Sequence, residues 1–423
     1  MENDLKHEKN LGSGPLHGIR VIDLTAVVSG PFATQTLGDM GADVVKVEPP
    51  EGDSQRRLGP ALTSDMGPIF INSNRSKRSV ALDLKKPAGR AALLDLVKNA
   101  DVLMFNFRPS AMKRLGLAYD DLQVMNPRLV YVGISGFAED GPYGGRPAYD
   151  DLIQAGTGLA HLVAIKNGGE PTYVPLAVAD RITGLNAAIA VLGAIIERHN
   201  SGLGQHVDLP MFETLVGHVL ADHLGGMSFE PPLDAGGYPR LLAKGRKPYA
   251  TQDGYVAAMM HTDKQWRSFF ALLGREEEFD TDPRLTNMYT RNQHVDELYA
   301  EIEAVMATRS TSYWLEALEK ADIAVMPVHD LQSLMRDPHL VATNFFETEK
   351  HPSQGTLRRT RYPIKWSRTP PAADRRHAPR LGEHSVEVMR EVGYSDADID
   401  ALLDSGTLVA ATPLVAGNGP CAP

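Results

Sequence analysis

Cysteine is almost absent: the single residue, Cys421, stands third from the end of 423 residues. That excludes an intrachain disulfide, a cysteine cage for a metal and a buried cysteine nucleophile, and it fits a reducing cytoplasm. No uninterrupted apolar run approaches the roughly 18 residues of a membrane span. The opening MENDLKHEKNLGSG has no apolar segment of the kind a secretory leader needs. Basic charge is also in deficit, with 43 Lys and Arg against 53 Asp and Glu and a net charge of −10. A general nucleic-acid or anionic-membrane surface is therefore not expected, and an anionic ligand must find a local basic patch. The chain lacks a P-loop, a GxSxG elbow and any zinc spacing; His161, His199, His206 and His218 form no ligand motif.

What is present has the proportions of a globular protein, 43 % hydrophobic and 23 % charged, and the length allows two or three domains. The first 135 residues alternate β-branched runs with helical stretches, the pattern of a parallel sheet covered by helices. Strands are predicted at Ile19–Leu24, Asp43–Glu48, Ser79–Asp83, Asp101–Phe107 and Leu129–Ser135, with helices over Pro31–Met40 and Lys86–Ala100. From Tyr149 to Met227 the chain reads as long helices around a short strand, QHVDL. The stretch Ile182–Ile196 is so continuously apolar that burial on most sides is expected. A Gly- and Pro-rich linker at Ser228–Lys247 precedes a hairpin turning at Asp253-Gly254 and a helical segment to Leu334. A strand is predicted near Tyr362–Ser367, and a last helix capped by Ser395. The fold class is α/β: a Rossmann-like large domain over 15–227 and 338–410, interrupted by a smaller α+β domain with its linkers over 228–337. Residues 1–14 read as a disordered leader and 411–423 as a flexible tail.

Glu48 falls near where a dinucleotide-binding fold carries its ribose acid. The loop before it, TAVVSGPFATQTLG, lacks the glycines that admit a pyrophosphate, so NAD and FAD are not expected. Residues 75–90 hold six basic residues and one acidic, a local charge of +5. On composition this is a solvated run, although Lys85 sits between a strand and a helix start, where phosphates dock. Asn106-Phe107-Arg108 at a strand end, with Arg114 beyond, offers an aromatic for a base and arginines for phosphates; Phe107 serves equally well as core. Asp180 precedes the long apolar helix. Its first explanation is an N-cap, and a carboxylate held there beside an apolar segment is also a poised nucleophile. Asp150 and Asp151 are read as caps of the following helix.

Several ordered blocks, from about residue 15 to 405, resemble the family III CoA-transferases, a group with formyl-CoA transferase, carnitine CoA-transferase and the α-methylacyl-CoA racemases. They are GIRVIDLTAVVSGPFATQTLGDMGADVVKVEPPEGD, NRSKRSVALDLKKPAGR, ADVLMFNFRPSAMKRLG, NPRLVYVGISGFAEDGPYGGRPAYDDLIQAGTG, ERHNSGLGQHVDLPMFETL and LGEHSVEVMREVGYSDADIDALL. The resemblance implies that Asp180, in VADRITG, attacks an acyl-CoA to give a mixed anhydride and then an aspartyl-CoA thioester. It implies CoA contacts at Val28 and Ser29, Leu82 to Lys85, Asn106 to Arg108, Arg114, and Pro147, Ala148 and Tyr149. CoA and acyl-CoA are then substrates, with a carboxylic acid as acceptor, and no cofactor stays permanently bound. It further implies a homodimer of interlocked rings. Val28 and Pro49 replace the glutamine and arginine of the formyl-CoA transferase pattern, which separates this chain from formyl or oxalyl specificity. Gly236-Gly237 are candidates for that enzyme's site-covering glycine loop. The racemases carry a histidine at the position of Tyr149; a phenol, with an ordinary pKa near 10, is a poor base for moving an α-proton. Transfer, with succinyl-CoA as a candidate donor, is thus favoured over the alternatives of a racemase or epimerase and of a catalytically silent CoA-binding protein.

Overall fold

The computed structural model describes residues 14–372 and 375–412. The leader over 1–13, the tail from 413 onward and Cys421 lie outside the described residues. The described residues form two compact units, one within Met1–Thr157, Pro175–Val216 and Asn344–Pro423, the other of Gly158–Val174 and Gly217–Thr343.

In the first unit, strands β1 (Arg20–Asp23), β2 (Asp43–Glu48), β3 (Lys77–Leu82), β4 (Val102–Phe105), β5 (Val130–Ser135), β6 (His206–Pro210) and β7 (Leu408–Val409) form one sheet in the order β7-β3-β2-β1-β4-β5-β6. All pairs are parallel except β7 on β3. A parallel sheet is covered on both faces, so β1 to β5 are almost entirely buried, and the charges they carry, such as Lys46, Glu48 and Lys77, are paired inside. One face packs Ile22, Val45, Val80, Leu103 and Tyr131 against α2 (Pro87–Lys98) and the segments carrying Val388 and Leu402. Beside the other run α1 (Ser29–Asp39) and α4 (Val178–Ser201), with α3 (Asp150–Gly156) before α4. β2 matches the sequence reading residue for residue. The two-residue β7 was not expected, being too short to leave a pattern.

Three expectations change. Tyr362–Ser367 is not a strand: Pro363 brings no N–H for a ladder, and Tyr362 stacks on Trp366 at 5.8 Å between ring centroids. The strands of this segment lie earlier, as a hairpin of Phe346–His351 against Gly355–Thr360. Helix α4 is not buried on most sides. Ala179, Gly184, Ala187, Ala188 and Val191 face inward, whereas Leu185, Ile189 and Ile196 are 47 %, 64 % and 66 % exposed. Its length and mean hydropathy of 1.4 would suit a membrane span by composition alone, but its small residues form a packing seam with α1. Third, Gly158–Val174 belongs with the second unit. There Leu159–Asn167 packs on Pro239–Leu242, and Lys166 Nζ donates to the Lys244 carbonyl at 3.1 Å.

The second unit is built on a three-stranded antiparallel sheet, Tyr249–Ala250, Tyr255–Met259 and Ala324–Pro327. The hairpin expected at Asp253-Gly254 joins its first two strands. Trp266, Phe269, Phe270, Ile302 and Trp314 fill its core.

The seam between α1 and α4 turns on one glycine. A Cβ at Gly184 would lie 2.6 Å from the Ser29 carbonyl oxygen and 3.1 Å from Phe32 Cδ1. Backbone cannot yield as a side-chain tip can, so Gly184→Ala must part the two helices. It is expected to lower stability by about 1–3 kcal/mol and to reduce transfer activity with it. Thermal unfolding and a transfer assay on one preparation check this.

Candidate active site

The strand order β3-β2-β1-β4-β5-β6 reverses direction between β1 and β4. In open parallel sheets the crevice at such a reversal, outside the carboxyl ends of the strands, is where ligands bind. Two cavities of the first unit open there. One, of about 330 Å³, is lined by the β1 loop (Ala26, Val27, Ser29), the β4 end (Asn106, Phe107, Arg108), Pro147 to Tyr149, and Asp180. The other, of about 710 Å³, is lined by Leu82, Leu84, Lys85, Phe107, Arg114 and Leu115 among others. Ala26 and Phe107 belong to both, so the two adjoin.

Asp180 is half-buried in the first turn of α4, the third residue of the helix; Ala177 holds the N-cap position without a side-chain cap. The N-cap expectation is therefore corrected. The capping oxygen comes from elsewhere: Asp150 Oδ1 accepts the Asp180 N–H at 2.9 Å, and Asp150 Oδ2 accepts Gln154 Nε2 at 2.6 Å. Asp150 in turn is the first residue of α3, after Tyr149. Burial, with the Asp150 charge alongside, pushes the Asp180 carboxyl up to about 6, against the Ser29 hydroxyl and N–H and the Arg181 guanidinium, which favour the ionised form. The result is a carboxylate that is charged at neutral pH yet weakly solvated.

The same shift makes a stability prediction. A carboxyl raised from 3.8 to about 6 by folding stabilises the protein only while protonated. That contribution is lost as pH rises from below 4 through 6. Asp180→Asn should therefore be more stable than wild type by about 1–2 kcal/mol at pH 8, after discounting for partial exposure, and equal to it near pH 3.8 or below. Denaturant unfolding at the two pH values tests the sign.

The residues expected to contact CoA divide between the cavities. Ser29, Asn106, Phe107, Arg108, Pro147, Ala148 and Tyr149 stand with Asp180 in the smaller one; Leu82, Lys85, Phe107 and Arg114 line the larger. Val28 is buried, precedes α1 and lines neither. Arg108, Arg114 and Lys85 are exposed, and among the described residues none forms an ion pair. Of the rest of the basic run, Lys86 and Arg90 donate to the Ser405 and Leu84 carbonyls, and the first three cations are neutralised. Arg75 pairs with Asp39, Lys77 with Asp23, and Arg78 with Asp43, Glu387 and Glu391. Glu48 is no ribose acid: Arg56 engages both its oxygens, at 2.7 and 2.6 Å, and Ser79 Oγ donates to it at 2.8 Å. Gly236 and Gly237 form a turn in the second unit, where their N–H groups donate to Asp234 Oδ1 and to the His223 carbonyl.

Two residues escaped the sequence reading. Gly184, one turn beyond Asp180, lets α4 approach Ser29. Gly136, after β5, lets the Pro147–Tyr149 segment in: a Cβ there would lie 2.3 Å from the Ala148 Cβ. Their spacing from the motif residues, four after Asp180 and directly after Ser135, was the available signal.

With this geometry the comparisons agree. The model of CoA-transferase family III matches residues 16–385, and the chain belongs to that family. It is an acyl-CoA:carboxylate CoA-transferase, moving CoA from an acyl-CoA donor to a free carboxylic acid. It is 33 % identical over 395 residues to the succinate–glutarate CoA-transferase of Agrobacterium fabrum, covering 89 % of this chain and 96 % of that one. It is 29 % identical over 399 residues to the human succinyl-CoA:glutarate CoA-transferase, covering 93 % and 90 %. Among solved structures, a CAIB/BAIF family protein from Brucella suis superposes with a TM-score of 0.75 at 30 % identity, over 90 % of this chain and 100 % of its own.

Proposed function

We propose that Asp180 is the covalent nucleophile of the transfer, and that the two adjoining cavities hold one extended CoA thioester. The observation that carries the reading is the position of Asp180: half-buried, raised to about 6, in the cavity that also holds Ser29, Asn106 to Arg108 and Pro147 to Tyr149. The larger cavity takes the adenine against Leu84, Phe107 and Leu115, with Lys85 and Arg114 for phosphates. The pantetheine arm passes Ala26 and Phe107 to bring the thioester to Asp180.

An Asp180 oxygen adds to the thioester carbonyl, the C–S bond breaks, and an aspartyl acyl anhydride and CoA thiolate result. The thiolate attacks the Asp180 carbonyl, the donor acid leaves as carboxylate, and an aspartyl-CoA thioester remains. The acceptor carboxylate attacks that thioester, and the thiolate then takes the acceptor acyl group, restoring the Asp180 carboxylate. Tyr149, 68 % exposed at the cavity rim, borders the acyl end and supplies no histidine for α-proton exchange, which favours transfer over racemisation. Succinyl-CoA is the donor, with a dicarboxylic acid as acceptor; the names of the relatives that act on succinate and glutarate support this. The enzyme is a homodimer, supported by the exposed apolar stripe Leu185, Ile189 and Ile196 on α4. A donor-by-acceptor screen read as CoA esters by mass spectrometry tests the substrate class: succinyl-CoA consumption with a dicarboxylate is expected, and activity only with monocarboxylates refutes it. A monomeric mass at micromolar concentration refutes the dimer.

A further inference from the structure

The loop that separates β1 from α1 is held in a conformation its sequence does not favour. Val27 has φ of 73°, in the left-handed region where a β-branched residue is a true outlier. Such backbone is strained and persists only when its surroundings over-determine it. Three buried or half-buried side chains, from three different places in the sequence, do so here. Lys46 Nζ donates to the Thr25 carbonyl at 2.7 Å. Asn106 closes a two-bond ring on Ala26, its Oδ1 accepting the Ala26 N–H at 3.0 Å and its Nδ2 donating to the Ala26 carbonyl at 2.8 Å. Asp53 accepts the Val27 N–H at 3.2 and 3.3 Å and is itself paired with Lys46 at 3.2 Å. Lys46 and Asp53 are 0 % and 3 % exposed.

Three consecutive residues are thus fixed one by one, and the next but one after them is Ser29, whose hydroxyl and N–H act on the Asp180 carboxylate. Asn106, expected to touch CoA, has both ends of its amide committed to Ala26. We propose that Lys46, Asp53 and Asn106 are positioning residues for the transfer reaction, a clamp that holds Thr25 to Val27 in the left-handed turn and so sets Ser29 against Asp180. The clamp also fixes Ala26, one of the residues common to both cavities, so thioester and nucleophile are placed by one device. This inference rests on Asp180 as the nucleophile.

The test uses the full-length enzyme. Asn106→Ala should lower kcat about 100-fold, the loss expected for a misplacement of about 1 Å, while KM for the acyl-CoA changes less than about threefold. The acid limb of the kcat profile should move to higher pH, because Ser29 no longer favours the ionised carboxylate. Adding Val27→Gly should recover at least tenfold of the loss, since glycine enters the left-handed region without a clamp. A merely structural Asn106 would move neither the acid limb nor respond to Val27→Gly. The proposal is overturned if Asn106→Ala raises KM with kcat intact, or if Val27→Gly recovers nothing. If Asn106→Ala does not fold, the near-isosteric Asn106→Asp, which keeps the acceptor and loses the donor, is judged by the same two criteria. Asp180→Ala, assayed alongside, separates the outcomes: full activity there refutes the nucleophile itself, whatever Asn106 does.

Discussion

Asp180→Ala is expected to lose CoA transfer by on the order of 10³-fold or more, while still binding acyl-CoA. If Asp180 is the covalent nucleophile proposed above, its removal deletes every step that passes through it. Asp150 adjoins it, but its oxygens accept the Asp180 N–H and Gln154 Nε2. The binding surfaces stay in place, because Lys85, Phe107 and Arg114 line the larger cavity, which Asp180 does not reach. Wild type should show a matching pH profile. As the proposed nucleophile, Asp180 must be ionised to attack, and its carboxyl stands at about 6. Turnover should fall about tenfold per unit below that pH and level off above it. Rates and acyl-CoA affinity measured on both proteins decide the point.

The second large effect is on stability. Arg56→Met should destabilise the first unit by about 3–5 kcal/mol at pH 7. Arg56 is 1 % exposed and Glu48 2 %. The guanidinium makes two bonds to that carboxylate, donates to the Pro379 carbonyl at 3.1 Å and lies 3.7 Å over the Phe70 ring. Burial alone would push Glu48 up; the Arg56 guanidinium holds it down to about 2 instead. In wild type this pairing therefore stabilises above pH 4.5 and is lost as pH falls toward 2. In the variant the unpaired carboxyl goes up, so acid relieves rather than harms it. The stability gap should be widest near pH 7 and narrow on acidification toward pH 4. A gap independent of pH would show that lost packing on Phe70, not the charge pair, dominates.

These two sites also show how far the sequence could be read. Strand positions were legible where a buried parallel strand is an apolar run, as at Val102–Phe105. The candidate nucleophile and most cavity-lining residues were legible because they lie in contiguous motifs. The partners that give them their properties were not. Lys77 and Arg75 look like surface cations until the fold brings Asp23 and Asp39 to them across 54 and 36 residues. Asp150 looked like a cap for its own helix, and instead accepts the N–H of Asp180, 30 residues on. Periodicity likewise cannot tell an inward apolar residue from an outward one when the whole helix is apolar, so Leu185, Ile189 and Ile196 were assigned to the core.

The central claim is that oxygen passes through Asp180. If the enzyme turns over with an acceptor acid carrying heavy oxygen in its carboxylate, each cycle leaves one labelled oxygen on the nucleophile. The next cycle can hand it to the departing donor acid. Digestion of the enzyme after turnover, followed by mass spectrometry, should find the label on the peptide containing Asp180 and in the released donor acid. Product CoA ester formed at the full rate, with no label on that peptide, would contradict the account.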